Sequence, residues 1–237
     1  TTGFLRAEID HTVRDANRFS SLDDDDNGGS AFAFEAVSPR WFGGDDEGLF
    51  LRGRAERIEE RFFALGRLRA PFFYQAWNLQ ADARSSTEDY ADLGAEWTSD
   101  TRRLDASWQF LRREGSYRGQ RLTSTGDGQL LGPLAFRHAV AAMRADREDG
   151  GTSDRDDRRL RLQWGRSGFV PFVEGRTERF EDRRPTAERG YRSETVETGI
   201  EWSGRGRVAW SHEVADSLRA DGFGFARDVS QVRARGG

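Results

Sequence analysis

Residues 159–180 read RLRLQWGRSGFVPFVEGRTERF. Leu160, Leu162 and Trp164 alternate with Arg159, Arg161 and Gln163. After a break at 165–168, Phe169, Pro171, Val173, Gly175 and Thr177 alternate with a face carrying Glu174, Arg176 and Glu178. Successive side chains leave a β-strand on opposite sides, so a period of two predicts strands, and two such runs across a short glycine-bounded break predict a hairpin. The charged side of that hairpin is the strongest constraint on the fold. Either it faces bulk water while the apolar side covers a soluble core, or it faces a lumen while the apolar side meets lipid.

The same alternation recurs along the chain. Leu5, Ala7, Ile9, His11 and Val13 oppose Arg6, Glu8, Asp10, Thr12 and Arg14; Ala91, Leu93, Ala95 and Trp97 oppose Asp92, Gly94, Glu96 and Thr98. Leu104, Ala106, Trp108 and Phe110 follow a short turn at 99–102, and Val208, Trp210, His212 and Val214 follow another at 203–206. A further strand is expected from Phe73, Gln75, Trp77, Leu79, Ala81 and Ala83. Short turns at 99–102, 132–133, 165–168 and 203–206 alternate with longer polar connections expected at 116–121, 148–157, 181–189 and 216–221, with another at 15–29. Tight turns at one end, longer loops at the other and ten-residue alternating segments between are the pattern of a transmembrane barrel. Roughly 12 or 13 strands are expected, in one domain over 1–237 or as part of a larger barrel. Two stretches have helical spacing instead. These are Ala55, Ile58, Phe62 and Leu65 within 52–67, and Phe136, Val140 and Met143 within 133–149, where Pro133 suits a first helical turn. Real helices there would favour the alternative, a soluble β-rich or α+β domain.

Composition narrows the choice. Hydrophobic residues make up 35% and charged residues 33% of 237 residues, too polar for a bundle of membrane helices, and no run approaches the ~20 apolar residues a spanning helix needs. All 37 basic residues are arginine, and isoleucine and asparagine are scarce, as in a GC-rich genome; 17 phenylalanines against that drift mean the structure needs the rings. The absence of cysteine removes disulfides and thiolate-bound metals, and a net charge of −4 gives no footprint for nucleic acid. The chain starts without Met or a leader, which reads as a processed protein or a piece of a longer one.

The segments DYADLGAEWTSDTRRLDASWQFLRR and TVETGIEWSGRGRVAWSHEV, each strand, short turn and strand, resemble bacterial outer-membrane β-barrel proteins of the porin or large-channel type. The resemblance covers most of the chain as a pattern rather than a motif. It implies an all-β, antiparallel, up-and-down transmembrane barrel of about 12 or more strands, located in the outer membrane. The implied role is a pore or the membrane-spanning part of a transport or secretion assembly, with lipid and other envelope proteins as partners. Such proteins usually end in a strand closing on an aromatic residue, whereas this sequence ends in Gly-Gly.

Candidate site residues follow from the faces. Arg159, Arg161, Glu174, Arg176, Glu178, Glu197 and Glu201 would face a lumen, together with Arg192, Arg207, Glu194 and Glu213. Near-balanced charge points to internal pairing before ion selectivity. Trp97, Trp164 and Trp202 each end an apolar run before a short turn, and Trp210 follows one, as expected for an aromatic girdle at a membrane interface; rings closing a soluble core would use the same places. Asp23, Asp25 and Asn27 precede Gly28 like the opening half of a calcium loop, but Phe34 stands where the closing glutamate belongs, so a solvated acidic loop competes with calcium. No other cofactor is implied. No acid–base pair or nucleophile constellation stands out, so catalysis is not expected. Ser211 and His212 are adjacent, so they leave a strand on opposite faces and cannot act together.

Overall fold

The structure, a computed structural model, describes residues 2–13, 28–42, 47–62, 72–79, 86–165, 167–202, 206–219 and 222–236. Twelve strands follow one another in chain order: β1 (Phe4–Val13), β2 (Gly28–Val37), β3 (Gly48–Ile58), β4 (Glu88–Ser99), β5 (Arg102–Arg113), β6 (Tyr117–Leu131), β7 (Leu134–Arg147), β8 (Thr152–Trp164), β9 (Phe169–Arg184), β10 (Ala187–Trp202), β11 (Gly206–Arg219) and β12 (Gly222–Gly236). They form one sheet in the order β1 to β12, each strand antiparallel to the next. This is the expected all-β, up-and-down architecture. A single turn of helix, α1 (Phe73–Ala76), lies between β3 and β4. None of the helical residues described is in a span long and apolar enough to cross a membrane.

Tight turns fall where glycine frees the backbone. Gly132, between β6 and β7, has φ 54°, and Gly165, after β8, has φ 92°, a region that costs a residue with a Cβ. The chain crosses at 100–101 between β4 and β5, and β10 gives way to β11 within 203–205.

Several expectations on elements are corrected. The described part of 52–67, residues 52–62, and the stretch 133–149 are not helices: β3 runs through Ile58, and β7 takes up Phe136, Val140 and Met143, while Leu65 lies outside the described residues. Good helix formers lose there because strand pairing on both flanks satisfies every backbone group, which propensity alone cannot match. Conversely, the strand expected from Phe73 begins as α1 and a turn, and its continuation at 81–83 lies outside the described residues. The long loops expected after residue 115 are mostly strand. The connections opposite the tight turns shrink to 114–116, 148–151 and 185–186, so 117–121, 152–157 and 187–189 belong to β6, β8 and β10. Those segments are charged on both faces, which imitates a loop in sequence.

The register sorts side chains onto two faces. On one face Trp97 opposes Leu104, Leu93 opposes Trp108, Trp108 opposes Leu122, Phe136 opposes Leu162, Leu162 opposes Val173 and Ile200 opposes Val208. On the other Arg161 opposes Glu174, Glu174 opposes Glu197 and Glu201 opposes Arg207. The apolar face is the exposed one: Phe169 is 77% accessible, Trp164 57% and Leu160 50%, whereas Arg161 and Glu174 are 8% accessible. A water-soluble sheet has the opposite arrangement.

Candidate functional site

The polar face of β8 to β11 carries a continuous ion-pair network. Arg159 grips Glu174 with two parallel bonds of 2.8 and 3.0 Å. Arg161 lies 3.8 Å from Glu174 and donates at 2.8 Å to Glu201. Arg207 then joins Glu201 at 3.2 Å to Glu197 at 2.8 Å. Three arginines and three glutamates thus close a neutral chain across four strands. Phe172 lies between two of the cations, with Arg161 4.2 Å and Arg207 4.6 Å from its ring centre. The ring's negative faces meet both guanidiniums, which lets the two cations sit close in a sheltered place. Gly199, opposite Phe172, is held close to β11, where a Cβ would strike Val208 and Ala209.

Of the expected charged residues, Arg159, Arg161, Glu174, Glu197 and Glu201 meet in this network. Arg176 and Glu178 share the same face but pair with each other along β9, with Asp157 3.9 Å from Arg176. Arg192 and Glu194 are a correction: they pair on the opposite face, because they share parity with Val196 on β10. A second polar-face contact reaches across a strand. Arg52 on β3 passes over Gly94 on β4 to Asp105 on β5, donating to Oδ1 at 3.1 Å. A Cβ at position 94 would collide with that guanidinium.

At the long-connection end the polar face becomes a hydrophobic core. Trp77, just after α1, packs with Tyr90, Leu111, Tyr117, Met143 and Ala145, and Phe73 and Leu79 flank it. The Tyr117 hydroxyl donates to the Trp77 carbonyl at 2.8 Å, Asn78 donates to Ser153 at 2.9 Å, and Arg147 donates to the Asn78 carbonyl at 3.2 Å. Beside them Arg113 and Glu88 form an almost fully buried pair at 3.1 Å, and Asp182, also buried, is ringed by Arg147, Arg184 and Arg189 at 3.1–3.5 Å. The segment 72–79 therefore covers the polar face at this end. Sequence reading missed it because the aromatic spacing from Phe73 to Trp77 fits a strand as well as a turn of helix.

Trp97, Trp164 and Trp202 occupy the outermost apolar-face positions next to tight turns, opposite Leu104, Leu134 and Phe169. Trp202 lies over Gly206, where a Cβ would strike the ring. Trp210 sits further along, opposite Thr198, and stacks on His212 at 6.0 Å. All three histidines occupy the apolar face, each sharing a hydrogen bond with a serine on the neighbouring strand: His11 with Ser30 at 3.1 Å, His138 with Ser124 at 3.0 Å and His212 with Ser230 at 3.0 Å. Asp228 approaches His212 at 3.5 Å through the same Nδ1 that meets Ser230, so the three do not form a relay. The pairs satisfy each other's polar atoms, which a face in contact with an apolar medium requires. Asp23, Asp25 and Asn27 lie outside the described residues. Among the described residues no group of three or more acidic or histidine side chains is placed to hold a metal.

No family model matches the sequence, and no curated protein matches it. Among solved structures, OmpT, an outer membrane protein of Vibrio cholerae in a trimer form, is similar at 12% identity and a TM-score of 0.37, over 99% of this chain and 97% of that one. The beta domain of the Bordetella autotransporter BrkA is similar at 11% identity and a TM-score of 0.29, over 99% and 98%. Likeness at that level carries no function, which has to come from the two faces of this sheet.

Proposed function

We propose that the chain is the wall of a β-barrel in a bacterial outer membrane. Its interior would be a narrow ion-paired passage, serving as a pore or as the membrane-spanning part of a transport assembly. The inversion of the two faces carries this reading: large apolar side chains point outward while arginine and glutamate pair within. In water such an exterior would be a standing aggregation surface; in lipid it is the favourable arrangement. The apolar positions run from the tight turns up β7 from Leu134 to Ala142 and up β9 from Phe169 to Thr177, nine residues on each strand. At ~3.3 Å per residue and a tilt of roughly 40° they cover about 23 Å, close to the apolar band of outer-membrane barrels. Trp97, Trp164 and Trp202 then stand at the membrane interface on the tight-turn side. An open sheet edge does not persist in hydrocarbon, so β1 and β12 must be closed, most simply on each other.

Residues 72–79 cover one end of the passage, and the network around Phe172 neutralises its wall. Both features favour a restricted conduit over a wide one. Reconstitution tests the reading. The protein is expected to stay dispersed only in detergent or lipid and to migrate faster on SDS gels before boiling than after. Brominated acyl chains should quench its tryptophan fluorescence. A folded protein that is monodisperse in plain buffer and unquenched by brominated lipid removes the membrane barrel and leaves a soluble β-rich module.

A further inference from the structure

The exposed face changes character along its length. Past the apolar run that begins beside the tight turns, the first charged side chain on five successive strands is an arginine: Arg112 on β5, Arg118 on β6, Arg144 on β7, Arg158 on β8 and Arg179 on β9. Acidic residues come beyond them, as Asp146 after Arg144, Asp156 after Arg158 and Glu181 after Arg179. Either sign of charge would satisfy water equally well, so a run of one sign at one level calls for a partner of the other sign at that level.

Within this belt three arginines lack a carboxylate. Arg158 and Arg179 are bound by Asp156 and Glu181 on their own strands. Arg112, Arg118 and Arg144 make no ion pair among the described residues, although Asp89, Asp146 and Asp154 face them across the ladders. Arg112 and Arg118 stand directly opposite each other, an unfavourable placement for like charges unless an anion lies between them. Gln120, opposite Arg144, adds a donor, and Arg118 rests 5.7 Å from the Phe110 ring. Immediately below, a groove of about 530 Å³ is floored by Trp108, Leu122 and Ala142 and rimmed by Arg144 and Arg179, with Asp154 and Asp156 also on its wall.

From this cationic rim above an apolar groove, we propose that Arg112, Arg118 and Arg144 bind the phosphate of an anionic membrane lipid whose acyl chain lies along Trp108 and Leu122. The occupant is a lipid, because Trp108, Leu122 and Ala142 on the groove floor belong to the apolar band, and its headgroup carries phosphate, because guanidinium groups grip phosphate oxygens with paired, directed bonds. The inference rests on the membrane reading above.

Native mass spectrometry from detergent micelles tests it, with phosphatidic acid and phosphatidylcholine as probes. The wild type should retain phosphatidic acid in preference to phosphatidylcholine. The triple variant R112Q/R118Q/R144Q should lose that preference by on the order of a hundredfold, since each arginine near an anionic surface is worth about a factor of five. Heat-dependent migration on gels, which reports the folded barrel, should be the same for both proteins. Equal retention by the folded triple variant overturns the site. So does equal retention of the two lipids by the wild type, which would mark an apolar groove only, or full displacement by inorganic phosphate, which would mark an ion site. A wild type that shows no heat-dependent migration overturns the membrane reading, and the lipid site falls with it.

Discussion

Phe172 is the residue on which the polar face turns. It is an aromatic on the charged side of β9, and its ring meets both Arg161 and Arg207, which share Glu201 while Glu174 and Glu197 complete their pairing. Glu174→Gln would leave Arg161, 8% accessible, sharing Glu201 with Arg207. A cost of about 3 kcal/mol is expected, as for a sheltered ion pair losing one partner, seen as a lower melting temperature in detergent. Glu194→Gln breaks an exposed pair with Arg192 and should leave the melting temperature unchanged. Equal effects from the two variants would mean that the network contributes nothing beyond solvated charge. The face each of these residues occupies was legible from period two alone. Which arginine meets which glutamate was not, because pairing depends on the register that each turn sets. Arg192 and Glu194 were misplaced for a simpler reason: their parity with Val196 was readable, but their charge was given more weight.

At the scale of elements, the segment 72–79 is held by Trp77, with Phe73 and Leu79 flanking it, and by three hydrogen bonds. Trp77→Ala removes a fully buried ring and should destabilise that end by about 3–5 kcal/mol. In planar bilayers the same variant should conduct more than the wild type, if this segment limits the passage. An unchanged conductance would move the constriction elsewhere. Tyr117→Phe keeps the ring and loses only the bond to the Trp77 carbonyl, so about 1 kcal/mol is expected, with conductance near that of the wild type. Alternation identified β1, β4, β5, β8, β9, β10 and β11 because their apolar residues recur without interruption. It failed for 52–58 and 134–147 because alanine, arginine and glutamate suit a helix locally, and only neighbouring strands decide the matter. It failed again at 117–121 and 152–157, where both faces of the strand are polar and no period remains to be read.

For the whole molecule, closure is the property that the strand order makes testable. β1 and β12 are the two ends of the sheet, and both present side chains to solvent on each face. Cysteine introduced at Ala7, paired in turn with cysteine at Ser230, Val232 or Ala234, should give an intramolecular disulfide in at least one pair after insertion into lipid. Cross-links formed only between chains would mean that the wall closes with strands from another copy. Strand number and the identity of the two faces could be read from sequence because they repeat. Closure could not, since it depends on how shear accumulates over twelve strands.

The cover formed by Trp77 has a further consequence. It packs against Tyr117 and Met143, at and beyond the level of the arginine belt, while the network around Phe172 lies beneath the apolar band. The protein is thus assembled from two halves with opposite dependence on solvent. On the proposed membrane reading, the upper half, held by the Trp77 core and its neighbouring ion pairs in water, should yield to urea, whereas the lower half would be held by charge pairing inside lipid, where urea has little to dissolve. Unfolding should begin as a collar that loosens and opens the conduit while the embedded ring stays intact, so that a denaturant acts first as a gate-opener and only later as a denaturant.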